Sequence, residues 1–177
     1  WVPITKGIYR SPCHPFGEAA LVRGAVLAYR GVADRATAAW WHGLVDELAT
    51  PLTISVGCRS GVDLLPRCPV KVRRRTFAAE DLTEWRGLRV TGKPLTVLLA
   101  AADQKHGARL IDRALQTEAV TLDELNDALD RNAGRTGLKA ARKWLAIASD
   151  DSESFAERLF VKLLRQEQIT GWVQQLP

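Results

Sequence analysis

Hydrophobic and polar positions change period several times along the chain, and each change predicts an element. From Leu88 to Thr91, apolar Leu88 and Val90 alternate with Arg89 and Thr91, the period of a half-buried strand. Gly92 is a permissive backbone position, and Pro94 fits the first turn of a helix, where a missing N–H costs nothing. Thr91 or Lys93 then stands at the helix cap. From Leu95 to Ala102 every residue but Thr96 is apolar. A helix that is apolar all round belongs at the centre of a domain, so Gly87 to Asp103 reads as the strand, turn and buried helix around which the chain is packed.

Upstream, Val2, Ile4 and Ile8 are strand-like and Lys6-Gly7 is a turn signal between them, which predicts a hairpin. Glu18 to Tyr29 reads as helix, or as helix followed by strand. Asp34 offers an N-cap to a helix running through Trp40 and Trp41 and ended by Gly43. Leu52, Ile54 and Val56 alternate with Thr53 and Ser55, a strand. Arg59 to Pro69 is a turn-rich connection. Pro69 to Thr76 is a further strand, with Val70 and Val72 facing in and Lys71, Arg73 and Arg75 facing out. Phe77 to Trp85 is polar with scattered apolar anchors.

Beyond Asp103 the period is helical. Leu110, Ile111, Ala114 and Leu115 line one face, and Thr121 with Glu124 forms a capping box ahead of Leu122, Leu125 and Leu129. Gly134 to Gly137 is a helix-entry turn before Leu138, Ala141, Leu145 and Ala148. Ser149 to Ser154 reads as an acidic linker. Ser154 and Glu157 make a second capping box for a helix striped with Phe155, Leu159, Phe160, Leu163 and Leu164. The expected fold class is α+β: a small mixed sheet of 52–56, 69–75 and 88–91 with a buried helix, followed by a C-terminal helical layer.

The 177 residues are 46% hydrophobic and 25% charged, the composition of an ordinary globular protein. The longest apolar run, Val97 to Ala102, is six residues, far short of a membrane span, and no leader pattern opens the chain. The formal charge of +5 permits nucleic-acid binding without establishing it. Three cysteines, Cys13, Cys58 and Cys68, are odd in number and widely spaced, which argues against a disulfide scaffold and for a reducing, cytoplasmic setting. The chain has no Met and opens on apolar Trp1 and Val2, so it is read as lacking its natural start.

Candidate chemistry is sparse. Cys13, His14, Cys58 and Cys68 lack the C-x-x-C spacing of a zinc site, and Gly57 to Gly61 lacks the ending of a phosphate loop. Asp123, Glu124, Asp127 and Asp130 read as a solvated helix face, and Trp40-Trp41 as core plus rim rather than a base-stacking platform. The densest positive run is Lys71, Arg73, Arg74 and Arg75. On a strand it presents charges that could meet phosphates, or that guard a sheet edge against mispairing. No catalytic constellation and no cofactor are expected.

Four segments in this order resemble the AbiEi-type antitoxin family of type IV toxin–antitoxin systems, in its actinobacterial branch. KGIYR (Lys6 to Arg10) is similar to the closing R-G-V-Y-R wing of that family's winged-helix domain. VLAYR and TAAWWHGL (Val26 to Leu44) are similar to V-L-S-H-x-T-A-A-x-L-H-G-L, with GVADRA between the halves and Tyr29 where a His is usual. Val70 to Asp103 is similar to V-x-V-H-R followed by G-L-P-V-T-S-P-A-R-T-L-L-D-L-A, with Gly92-Lys93-Pro94 in place of T-S-P. ALQTEAVTLDELNDAL (Ala114 to Leu129) is similar to A-L-R-x-G-x-V-T-x-x-E-L-x-x-A-L.

The resemblance implies a three-part organisation: a wing-like hairpin over 1–12, an AbiEi-like α/β domain over 13–149, and over 150–177 a linker with the first helix of a downstream domain. It implies an autoregulatory, DNA-binding transcriptional regulator that opposes a nucleotidyltransferase toxin and has no catalytic activity of its own. The alternative it implies is the non-catalytic portion of an endonuclease of the very-short-patch-repair type, with its nuclease motifs beyond residue 177. The recognition helix of a winged-helix domain would precede Trp1. Expected contacts to double-stranded DNA are therefore phosphate contacts from Lys6, Arg10, Lys71, Arg73 and Arg75, without base readout.

Overall fold

A computed structural model describes residues 1–5, 7–58 and 69–148. Strands β1 (Val2–Thr5) and β2 (Ile8–Arg10) pair antiparallel as the expected hairpin. Ile4 anchors this hairpin on helix α1 (Glu18–Tyr29). The approach depends on Gly24, where an added Cβ would stand 2.7 Å from Ile4 Cγ2. The segment from Glu18 to Tyr29 is helix throughout, with no strand at its end.

The main sheet contains β3 (Val32–Ala33), β4 (Leu52–Val56), β5 (Val70–Arg74), β6 (Leu82–Trp85) and β7 (Leu88–Thr91), in the order β5-β4-β3-β7-β6. The pairs β4/β5 and β3/β7 are parallel, and β3/β4 and β6/β7 antiparallel. The sheet is therefore mixed, as expected, with two more strands than the periodicity indicates. β3 is too short to show a period. β6 is an edge strand, and its Thr83, Glu84 and Trp85 are exposed, so it shows no alternation. All five residues of β4 are buried. Leu52, Ile54 and Val56 join Val22, Ala25 and Val26 of α1 in one apolar cluster with Ala33, Leu88 and Val90. Thr53 and Ser55 point the other way, toward helix α2 (Arg35–Trp41). The Thr37 Oγ1 accepts from Thr53 N at 2.7 Å, and Thr53 Oγ1 donates to Asp34 O at 2.6 Å. Side-chain hydrogen bonds thus satisfy the polar half of an alternating pattern that has no solvent face.

Helix α3 (Lys93–Ala102) is buried from Leu95 to Ala101. Its N-cap is Gly92, with no side-chain cap, and Pro94 lies in the first turn. Thr96, the one polar residue of its apolar run, is fully buried and donates to Thr91 O at 2.9 Å. Around α3 stand α4 (Gly107–Gln116), α5 (Leu122–Arg131) and a helix α6 over 138–148. The apolar cluster of α3 draws on α2, α4, α5 and α6 and contains no strand residue. The C-terminal helices and α3 therefore share one core, instead of α3 seating on the sheet and the later helices forming a layer apart. The capping box at α5 is present in both directions, Thr121 N donating to Glu124 Oε2 at 2.8 Å and Glu124 N to Thr121 Oγ1 at 3.2 Å. The expected turn at Gly134 to Gly137 leads into α6, with positive φ at both glycines.

Trp41 is buried and Trp40 half-buried, the core-plus-rim arrangement; Trp41 Nε1 donates to Trp85 O at 2.8 Å. His42 Nε2 lies 2.8 Å from Thr91 O, so the proton belongs on Nε2, and burial first of all lowers the pKa of this imidazole. Among the described residues no helix is long and apolar enough to cross a membrane. The expected connection over 59–69, up to residue 68, and the linker and helix beyond residue 148 lie outside the described residues.

Candidate functional site

The loop between β3 and α2 makes the first part of the site. Asp34 is fully buried and has the expected N-cap backbone position, but its side chain makes no cap bond. Instead its Oδ2 accepts from Ser55 Oγ of β4 at 2.6 Å, and Oδ1 has no hydrogen-bond partner among the described residues. Arg35 follows in the left-handed region, at φ 51°, which costs a side-chain-bearing residue roughly 1 kcal/mol or more. That backbone, together with the packing around it, carries the guanidinium inward. Arg35 is 3% exposed, and its Nη1 donates to Leu99 O at 3.1 Å and meets Asp103 Oδ1 at 2.9 Å. Leu99 O is one of the last four carbonyls of α3, which have no partner within the helix, and a cation there also meets the negative end of the helix dipole.

Asp103 is shared. Its other oxygen, Oδ2, accepts from Arg73 Nη2 of β5 at 3.4 Å. One residue past β5, Arg75 donates from Nη2 to Asn132 Oδ1 at 3.2 Å and from Nη1 to Thr136 O at 3.4 Å, with its guanidinium 5.1 Å from the Phe77 ring centroid. Asn132, itself buried, donates to Asp81 Oδ2 at 2.6 Å. Arg135, in the turn before α6, donates to Thr76 O at 2.6 Å. Arg35, Arg73, Arg74, Arg75 and Arg135, with Gly134 and Thr136, thereby line one open pocket of about 730 Å³.

The electrostatics of this pocket are one-sided. Burial, the largest influence, raises the Asp34 carboxyl above its ordinary value of 3.8, against the Ser55 hydrogen bond and the charges of Arg35, Arg73 and Arg75. Burial also lowers Arg75, and its neighbours Arg35 and Arg135 add to that by repulsion. A carboxyl raised in the folded state holds its proton where the unfolded chain has released it. The stability it contributes is full below pH 3.8 and is lost as pH rises through the folded-state value. Asp34→Asn removes this titration, so the stability of the native protein relative to the variant is expected to fall as pH rises from 3.8 to the raised folded-state value and to level off above it. Urea denaturation at stepped pH checks this; a difference independent of pH refutes it.

Of the expected phosphate contacts, Lys71 is exposed on β5. Arg73 and Arg75 do not face out as expected: both are half-buried, and Val72, expected inside, is 37% exposed. The face that carries Arg73 and Arg75 is partly covered by the end of α3 and the turn at 134–136, which hold these side chains by an ion pair to Asp103 and hydrogen bonds to Asn132 and Thr136. Arg10 lies elsewhere, folded onto its own loop, where it donates to Ser11 O at 3.2 Å and to His14 O and stacks on Phe16 with 5.4 Å to the ring centroid. Lys6 lies outside the described residues. Arg35, Asp103, Asn132 and Arg135 carry no periodic signal; the one available hint is Asp34-Arg35 within GVADRA, a charged pair set inside apolar sequence.

The acidic residues Asp123, Glu124, Asp127 and Asp130 are all exposed, on the solvated helix face expected for them. Cys13 and Cys58 are exposed thiols, and Cys68 lies outside the described residues. No protein-family model, curated protein or solved structure matches the chain.

Proposed function

We propose that the protein is an AbiEi-like, DNA-binding transcriptional regulator of the cytoplasm, an antitoxin that opposes a nucleotidyltransferase toxin without catalysis of its own. The observation that supports this reading is the edge strand β5, which carries Lys71 and Arg74 exposed beside the half-buried Arg73 and Arg75, on a chain of net charge +5. Exposed cations on an edge strand neutralise phosphates and release counterions. They do not read base edges, because that needs an element seated in a groove.

The test is fluorescence anisotropy with an operator-containing duplex and an unrelated duplex over a salt series. Both duplexes are expected to bind with the same, steeply salt-dependent affinity. Lys71→Ala with Arg74→Ala is expected to weaken both equally and to flatten the salt slope by roughly 0.9 log units for every phosphate no longer neutralised. Absence of binding at low salt, or an unchanged slope in the double variant, overturns the assignment of β5. Incubation with plasmid DNA and Mg²⁺ is expected to leave the DNA intact.

A further inference from the structure

The pocket between β5, the start of α2 and the turn before α6 holds more positive charge than its described neighbours compensate. Five arginines line it, and the carboxylate of Asp103 is shared between two of them, Arg35 and Arg73. Asp34 stands 4.0 Å from Arg35 Nε, and its burial favours the neutral acid. Among the described residues the acceptors that Arg75 finds are neutral, Asn132 Oδ1 and Thr136 O. Among the described residues the buried Nε atoms of Arg35, Arg73 and Arg75 have no hydrogen-bond partner, and Arg35 is 3% exposed. Buried donors of this kind are costly to leave unmade.

These groups are also held in place before any ligand arrives. Arg35 is clamped by Leu99 O and Asp103, Arg75 by Asn132 and Phe77, and Arg135 by Thr76 O. Guanidinium forks fixed by neighbours match paired oxygens of a phosphate, which offers several guanidinium groups more acceptor oxygens and more negative charge than a lone carboxylate does. The volume of about 730 Å³ lies within the range of small-molecule sites. Lys71 lies four residues before Arg75, roughly 13 Å along the strand, and does not line the pocket, so Lys71 tests the exposed edge apart from the recess, which Arg74 shares.

We infer that this arginine pocket binds the phosphate of a small phosphorylated ligand, either free phosphate or the phosphates of a nucleotide. The inference does not rest on duplex binding by β5.

Calorimetry on the full chain with inorganic phosphate, ATP and adenosine tests it. Saturable one-site binding of phosphate, ATP or both, with none by adenosine, is the expected result. ATP binding at least tenfold tighter than phosphate assigns the source to a nucleotide, and equal affinity assigns it to free phosphate. Arg135→Ala, at an exposed position, is expected to weaken binding about tenfold, as removal of one charge-assisted hydrogen bond would. Arg75→Gln is expected to weaken it further, and Lys71→Ala to leave it unchanged. Absence of saturable binding by either phosphate compound overturns the inference. So does unchanged affinity in Arg135→Ala with its circular dichroism spectrum intact, or a loss in Lys71→Ala as large as in Arg135→Ala. Loss of duplex binding in Lys71→Ala alone, which leaves the pocket-lining Arg74 intact, has no bearing on the phosphate titration of Arg135→Ala, so either reading can fail alone.

Discussion

Gly31→Ala is expected to destabilise the protein by about 3 kcal/mol, at the upper end of what overpacking a core costs. Gly31 joins the left-handed C-cap of α1, at Arg30, to β3 in the middle of the sheet. A Cβ there would stand 2.6 Å from Ile54 Cγ2 and 2.7 Å from Ser55 O. The first neighbour is a fully buried side chain and the second is backbone, so neither can yield without parting β3 from β4. Ser55 also holds Asp34, so the same displacement reaches the residue that precedes Arg35 of the pocket. Urea denaturation measures the loss, and a change below about 1 kcal/mol would show that the sheet opens there at little cost.

Asp81→Ala is expected to cost about 2–3 kcal/mol, because it strips partners from two residues at the end of α5 at once. Asp81 is 2% exposed and ends the 3-10 turn Ala79–Asp81 before β6. Its Oδ1 accepts from Arg131 Nε and Nη2, each at 3.2 Å, and its Oδ2 from the buried Asn132 Nδ2 at 2.6 Å. Asn132 in turn orients Arg75. Arg131 is 38% exposed in its side chain, so water can replace part of what it loses, and Arg131→Ala is expected to cost under about 1 kcal/mol. The ordering of the two variants in denaturant midpoint is the check. A larger loss for Arg131→Ala would place the energy in the half-exposed ion pair instead of in the buried amide.

The elements legible in the sequence are those whose neighbours impose a single period. α3 shows its burial because its surroundings are apolar on every side, and β7 because Leu88 and Val90 face one cluster. The capping box at Thr121 and the turn at Gly134 to Gly137 are local chemistry, complete within a few residues. None of these needs a partner distant in sequence to be recognised.

The site is of the other kind. Asp34 reads as an N-cap because its neighbours in sequence make that bond available, yet Ser55, twenty-one residues away, takes its carboxylate. Alternation along 69–75 separates two faces of a strand but cannot say which face is covered. The end of α3 and the turn before α6 cover the one that carries Arg73 and Arg75. Periodicity also passes over β3, whose two residues are held by β4 on one side and β7 on the other. The residue pattern by itself determined the α+β class, the buried helix, the hairpin and the turns, since these follow from local conformational preference and the burial of apolar groups. Only the tertiary structure decided that five arginines from three separated segments share one pocket, because ion pairs and hydrogen bonds between distant residues depend on docking that no short stretch of chain encodes.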